Sequence, residues 1–318
     1  MNKLGNSGKF WIGAIAVFVV LTLMAPFISP DKSENANTQN LYLAKLKPFS
    51  KAYTIEKGDS TFYATQIDSN SNYIIFEALN DNTKRRFIPD NISENTFLLG
   101  TDKFGRDLLS RLLGGARISL AVGFLAVCIS LFFGLSLGLI AGYFGGWPDK
   151  IISWIINVVW SIPTLLLVIG LTVAFGKGLF QVFIAVGLTM WIELARVTRG
   201  QVISLKEKEF VISAKLMGIP RLKIFWRYIL PQLTGVILVL SAANFSTAIL
   251  LEAGLSFLGI GAQIPTPTWG GIIKNHFSLI STEYAFIPLL AGGCIMLCVM
   301  AFMQMSNALQ QFFDKRSV

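Results

Sequence analysis

Few side chains in this sequence could act as nucleophiles or metal ligands, and their spacing is poor for either task. Cys294 and Cys298 lie one helical turn apart, so they could share a helix face. A zinc site would need further ligands, and none is nearby, because His276, the single histidine, is distant in sequence. With Cys128, these cysteines sit inside apolar runs and read as small buried packing residues. No Gly-x4-Gly-Lys-Ser/Thr loop is present to cradle nucleotide phosphates, and no Ser/His/Asp or Cys/His arrangement is legible. The expectation is therefore a chain that is not an enzyme, with no catalytic residues, no metal and no cofactor of its own. An ion-coupled secondary transporter or channel subunit is the alternative. It would carry ionisable relays within its spans and often internal repeats. Glu193 and Glu252 instead fall near span ends, and no repeat is evident.

The residues that remain act through shape, so the elements that position them come next. Of 318 residues, 53% are hydrophobic and 14% charged, against about a quarter charged in soluble domains. The apolar residues come in blocks, which makes this a membrane protein. The net charge of +9 arises from basic residues beside those blocks, where they anchor spans. No zinc spacing or aromatic-basic motif suggests nucleic acid.

The most informative stretch runs from Ser204 to Pro231. Ser204 and Glu207 have capping-box spacing, which predicts a helix starting there and running to Met217. Gly218 suits the left-handed position after a helix, Pro220 blocks continuation, and Arg221 restarts a second piece. Phe210, Ala214 and Met217 are predicted to share one side, with Lys206, Lys208 and Lys215 around the rest. This is a basic helical elbow between two spans, and its charge places it in the cytoplasm.

Ser213-Ala214, then Gly218, then Leu230-Pro231 resembles the "EAA" loop of ATP-binding-cassette importer permeases. Two positions depart from that pattern: Ile212 stands where Glu is usual, and Ser213 replaces the first Ala. Upstream, the run from Leu99 to Leu120 contains Gly100, Thr101, Asp102, Gly105, Arg106, Asp107 and Arg117. It resembles the LGTDxxGRD…SR…GAR.SL signature of dipeptide/oligopeptide-type (and nickel) permeases. Residues 255–270, with Pro265, Pro267, Trp269 and Gly270, resemble their LSFLGLG…PTPxWG stretch. The resemblance implies an all-α polytopic membrane protein of the type I importer permease fold. It implies ATPase coupling through Phe210, Ser213, Ala214, Met217, Gly218 and Arg221, and an outer mouth at the two signature stretches. Its implied partners are a second homologous permease subunit, two ATPase subunits that hold the ATP and magnesium, an extracytoplasmic solute-binding protein and membrane lipid. The implied place is a bacterial cytoplasmic (inner) membrane.

About six spans are expected. Residues 1–30 hold a cytoplasmic tip and an uncleaved first span. Residues 31–98 form an outer insertion with β-prone Ala52–Glu56, Thr61–Ile67 and Tyr73–Ala78, separated by turns at Lys57–Asp59 and Asn70–Asn72. Residues 99–117 are an amphipathic outer segment, 118–306 the transmembrane domain including the coupling loop 199–231, and 307–318 a tail. Gly134, Gly138 and Gly142 recur every four residues and predict close helix approach. Pro163 predicts a kink in the third span, Lys177-Gly178 a tight turn, and 179–194 a short fourth span. The fifth and sixth spans cover about 233–251 and 284–305. Lys3, Lys9, Lys315 and Arg316 place both termini inside.

Overall fold

A computed structural model describes residues 6–70, 73–79, 83–176 and 178–314. Lys3, Lys177, Lys315, Arg316 and the Ser71–Asn72 part of an expected turn lie outside the described residues. The chain forms two compact units, one of Met1–Val20, Ile118–Gln263 and Cys294–Val318, the other of Leu21–Arg117 and Ile264–Gly293.

The membrane helices are α1 (Asn6–Ile28), α2 (Leu108–Phe144), α3 (Gly146–Trp160), α4 (Thr164–Phe175), α5 (Leu179–Lys206), α8 (Leu230–Leu258) and α10 (Phe286–Asp314). Between α5 and α8 come α6 (Glu209–Leu216) and α7 (Arg221–Ile224), and α9 (Trp269–His276) precedes α10. Among the described residues five helices are long and apolar enough to cross a membrane, and the α3–α4 pair raises the number to six if it is one span.

Water does not drive helices together inside lipid, so small residues must let their backbones touch. A Cβ on Gly134, Gly138 or Gly142 would fall within 3.0 Å of Leu194, Ala195 and Thr198, or Arg199 and Val202. The four-residue glycine stripe of α2 is thus the seat of α5. The expected kink at Pro163 is instead a break, with α3 and α4 bent by 93°. Pro163 cannot donate a backbone hydrogen bond and its ring excludes the preceding turn, so α3 stops at Trp160 and α4 starts anew. The fourth span is not short: α5 runs 28 residues. The fifth likewise extends as one rod, Arg221–Leu258, with a π turn at Phe225–Ile229 just before Pro231.

In the other unit, the insertion carries six strands: β1 (Ser50–Lys57), β2 (Ser60–Ala64), β3 (Ile67–Asn70), β4 (Tyr73–Ala78), β5 (Thr83–Phe87) and β6 (Asn91–Phe97). They form antiparallel sheets ordered β2-β1-β6 and β3-β4-β5 around Ile55, Ala64, Ile74, Phe76 and Ala78. The expected strand 61–67 is two strands, and β5 and β6 carry no apolar alternation that would reveal them.

Candidate functional site

The elbow differs from its expected start. Ser204 and Glu207 do not open a helix, because α5 continues through Ser204 to Lys206 and Glu207 caps its end. The next helix, α6, begins at Glu209 after Lys208. Its exit is a Schellman turn: Gly218 N–H donates to Lys215 O at 3.0 Å and Ile219 N–H to Ala214 O at 3.2 Å. Gly218 has φ +75°, which an L side chain rarely adopts. Pro220 then leads into α7 at Arg221.

α6 rests on a cluster of Val202, Val211, Ala214, Ile224, Ile229 and Leu233. The expected face of Phe210, Ala214 and Met217 is split, because the short helix packs along Val211 and Ala214. Ala214 is fully buried, whereas Phe210 is 40% and Met217 70% exposed. Ser213 and Arg221 are exposed. Leu216, Leu222 and Trp226 are exposed as well, so the elbow presents large apolar side chains among Lys208, Lys215, Arg221 and Lys223.

Its other side is fastened to neighbouring helices. Lys206 Nζ donates to the carbonyls of Gly142 (3.2 Å) and Tyr143 (2.8 Å), at the end of α2 where a cation is favoured. Tyr143 Oη donates to Arg221 O at 2.5 Å, and Arg199 pairs bidentately with Asp149 of α3. The charge pattern of the sequence did not single out Tyr143 or Asp149. The elbow is therefore fixed on one face and open on the other.

The second candidate site lies in the other unit. Gly100 and Gly105 have φ +77° and +73°, and a Cβ on either would collide with the backbone of Leu46 or Asn40. They close a turn in which Thr101 Oγ1 donates to Leu43 O (2.5 Å) and accepts Leu46 N–H (2.8 Å). Asp102 is fully buried and accepts from Phe104 N–H (2.8 Å), Arg106 N–H (3.1 Å) and Arg106 Nε (2.7 Å). Asp107 caps α2, its Oδ2 accepting from Ser110 N–H (2.7 Å) and Oγ (2.5 Å). Trp269 donates through Nε1 to Leu112 O (3.0 Å), with its ring on Gly115 and Pro267 on Gly114. Gly270 and Pro267 are buried, whereas Pro265 and Arg117 are exposed.

Two members of this cluster escaped sequence reasoning. Arg111 is 3.9 Å from Asp102 and donates to Ala36 O at 3.3 Å. His276 is buried with Nε2 3.7 Å from Asp102 and Nδ1 2.8 Å from Ile272 O. Burial holds its imidazole below the ordinary 6.5, so it is neutral at physiological pH.

Glu252, near the end of α8 at Leu258, is fully buried and accepts from Ser119 Oγ and Ser256 Oγ, both at 2.8 Å. The bonds to α2 and within α8 make it a polar link between two helices. The cysteines are unequal too: Cys298 is buried, but Cys128 is exposed.

The family of binding-protein-dependent transport system inner membrane components matches residues 134–317. A dipeptide transport system permease protein, DppC of Alkalihalophilus pseudofirmus, is 40% identical over 217 residues, 68% of this chain and 71% of the relative. An oligopeptide transport system permease protein, OppC of Bacillus subtilis, is 36% identical over the same shares. The fold is similar to a chain of the MetNI methionine ABC transporter in inward-facing conformation, with TM-score 0.50, 18% identity, and coverage of 62% of this chain and 95% of that one. With the match spanning the elbow and the surrounding helices, this chain belongs to the inner-membrane permease components of binding-protein-dependent ATP-binding-cassette importers.

Proposed function

We propose that this permease forms half of a pathway that imports short peptides, with its elbow as the docking point for ATPase subunits. The observation that carries the reading is the elbow itself, a rigid Schellman-turned segment bonded to α2 on one side and bearing exposed Phe210, Leu216 and Met217 on the other. Exposed apolar residues of that size within a polar rim suit a protein partner. A second permease copy or homologue completes the path, two ATPases hold ATP and magnesium, and a solute-binding protein delivers cargo outside. In this orientation the elbow and both termini face the cytoplasm, as the basic residues around Arg199–Arg227 favour. The peptide class is favoured by the relatives, which are named for dipeptides and oligopeptides.

ATP binding moves the elbow as a handle, and the fastened helices tilt with it. Such coupling requires contacts that differ between the two states, since equal affinity for both shifts nothing. The test is a Met217→Cys chain, its three native cysteines replaced, assembled with ATPase subunits carrying single cysteines. Cross-linking that changes in yield when a non-hydrolysable ATP analogue is added supports the handle. No cross-link at Met217→Cys, with one formed at an outer-unit position, contradicts it.

A further inference from the structure

The α3–α4 pair bends by 93°, and a cavity of about 120 Å³ lies beside that break, against α5 and α8. It is smaller than the roughly 300–1,000 Å³ of a site for a whole small molecule, and so suits one end of a short peptide. Its lining includes Trp160 of α3, Thr164 of α4, Thr189 and Glu193 of α5, and Asn244 and Thr247 of α8. No Lys, Arg or His lines it, and Glu193 is the one titratable side chain among the lining residues.

Two of these groups lack a partner and are open to the cavity. Asn244 is only 5% exposed, yet its side-chain amide makes no hydrogen bond within the described residues. The amide is not sealed in protein, and the cavity is what reaches it. A buried amide without a bond calls for a ligand that supplies one. Glu193 is exposed and forms neither an ion pair nor a hydrogen bond within the described residues. Because α5 runs on to Lys206, Glu193 stands about 20 Å from either end of that helix. A lone carboxylate at such depth is costly against lipid, so it faces protein or a wet cavity.

The electrostatics favour a cation. α3 ends at Trp160, where the negative end of its dipole adds to the charge of Glu193. Arg196, one turn further along α5, lies over the Trp160 ring at 3.7 Å from its centre and forms no ion pair with Glu193. The hydroxyls of Thr189 and Thr247 donate to Val186 O (2.7 Å) and Ala243 O (3.2 Å), which leaves their oxygens as acceptors. With the Glu193 carboxylate and the Asn244 carbonyl oxygen, the lining therefore offers acceptors to a compact, charged donor of several hydrogen bonds. A primary ammonium group is such a donor.

We propose that this cavity is a subsite inside the translocation path for the free α-ammonium group of a short peptide, with Glu193 as counter-ion and Asn244 as hydrogen-bond partner. The proposal rests on the importer reading and gives the break between α3 and α4 a task within it: to hold the amino end of the cargo on its way through the membrane.

The test uses the permease assembled with its partner permease and ATPase subunits in lipid nanodiscs. Thr247→Cys, and separately Thr164→Cys, is placed in a chain whose three native cysteines are replaced, so that two reporters line the cavity while Glu193 stays intact. The rates of labelling by a cationic and by an anionic methanethiosulfonate are compared. The cationic reagent should react about tenfold faster, and Glu193→Gln should bring the two rates together. L-alanyl-L-alanine should slow labelling at concentrations about tenfold or more below those its N-acetyl form requires, the worth of one charged hydrogen bond. Asn244→Leu, which removes an unbonded amide, should raise the protecting concentration about tenfold. Equal rates for the two reagents, no labelling of either reporter, or equal protection by both peptide forms overturns the subsite. So does cross-linking of both reporters to the partner permease with no protection by peptide, which would mark a contact between permeases instead. ATP-driven uptake by the same subunits with the binding protein separates the two ideas: uptake without amine-dependent protection removes only the subsite, and protection without ATP-driven uptake removes only the importer reading.

Discussion

Replacing Gly218 isolates the backbone geometry of the elbow from its side-chain contacts. A Cβ there meets nothing within 4 Å, so no steric clash accompanies the change. The cost is the left-handed conformation at φ +75°, roughly 1–2 kcal/mol for an L residue and higher for a β-branched one. That energy tips the turn toward a relaxed shape and lowers the fraction of chains with a dockable elbow by about five- to thirtyfold. Asn tolerates the conformation and should be nearly neutral. The assay is titration of purified ATPase subunits against solubilised permease, with membrane insertion monitored alongside. Gly218→Asn should bind within about twofold of wild type, Gly218→Ala about fivefold weaker, and Gly218→Val about thirtyfold weaker. Wild-type affinity in Gly218→Val would refute the rigid elbow. Equal damage by Asn and Val would refute the backbone origin of the effect.

Other substitutions follow from the packing. Ala214→Asp buries a carboxylate in the Val202–Leu233 cluster and should abolish ATPase co-purification while the membrane helices still insert. Gly138→Val forces α2 from α5, since a Cβ would lie 2.6 Å from Ala195 O; a loss of about 1–3 kcal/mol should appear as a lower unfolding temperature in detergent. Asp102→Ala leaves Arg106 and Arg111 buried without their carboxylate and should cost about 3–5 kcal/mol, read by the same unfolding assay. The His276 imidazole is depressed by burial in the folded state, with Asp102, Lys103 and Arg106 around it. The unfolded chain therefore binds the proton first. Stability should be highest well above pH 6.5 and fall as pH drops through and below it, and His276→Gln should flatten that slope.

The spans were legible because apolar blocks longer than a soluble helix admit few other readings. The elbow was legible in its turn, where Gly218 and Pro220 leave little choice, but not in its start. Ser204 and Glu207 match a capping box, yet Lys206 between them is held by the end of α2, and α5 stays helical through Lys206. Pro163 announced a disturbance without its size, since a kink and a break share one local cause. The strands β5 and β6 were invisible because TKRRF and NISENTF expose most of their side chains and lack an apolar face. The polar cluster was half legible. Its turn could be read from Gly100 and Gly105, but the approach of His276 to Asp102 depends on chain folding that no local pattern encodes. The full burial of Glu252 was not legible, because its serine partner on α2 reaches it only through chain folding.

Uptake of a labelled dipeptide into proteoliposomes tests the central claim most directly, with the permease pair, binding protein and ATPases present and each omitted in turn. The account predicts uptake that requires ATP and the ATPase subunits and that persists when a protonophore collapses the ion gradient. Uptake by the permease alone, driven by the gradient without nucleotide, would contradict it.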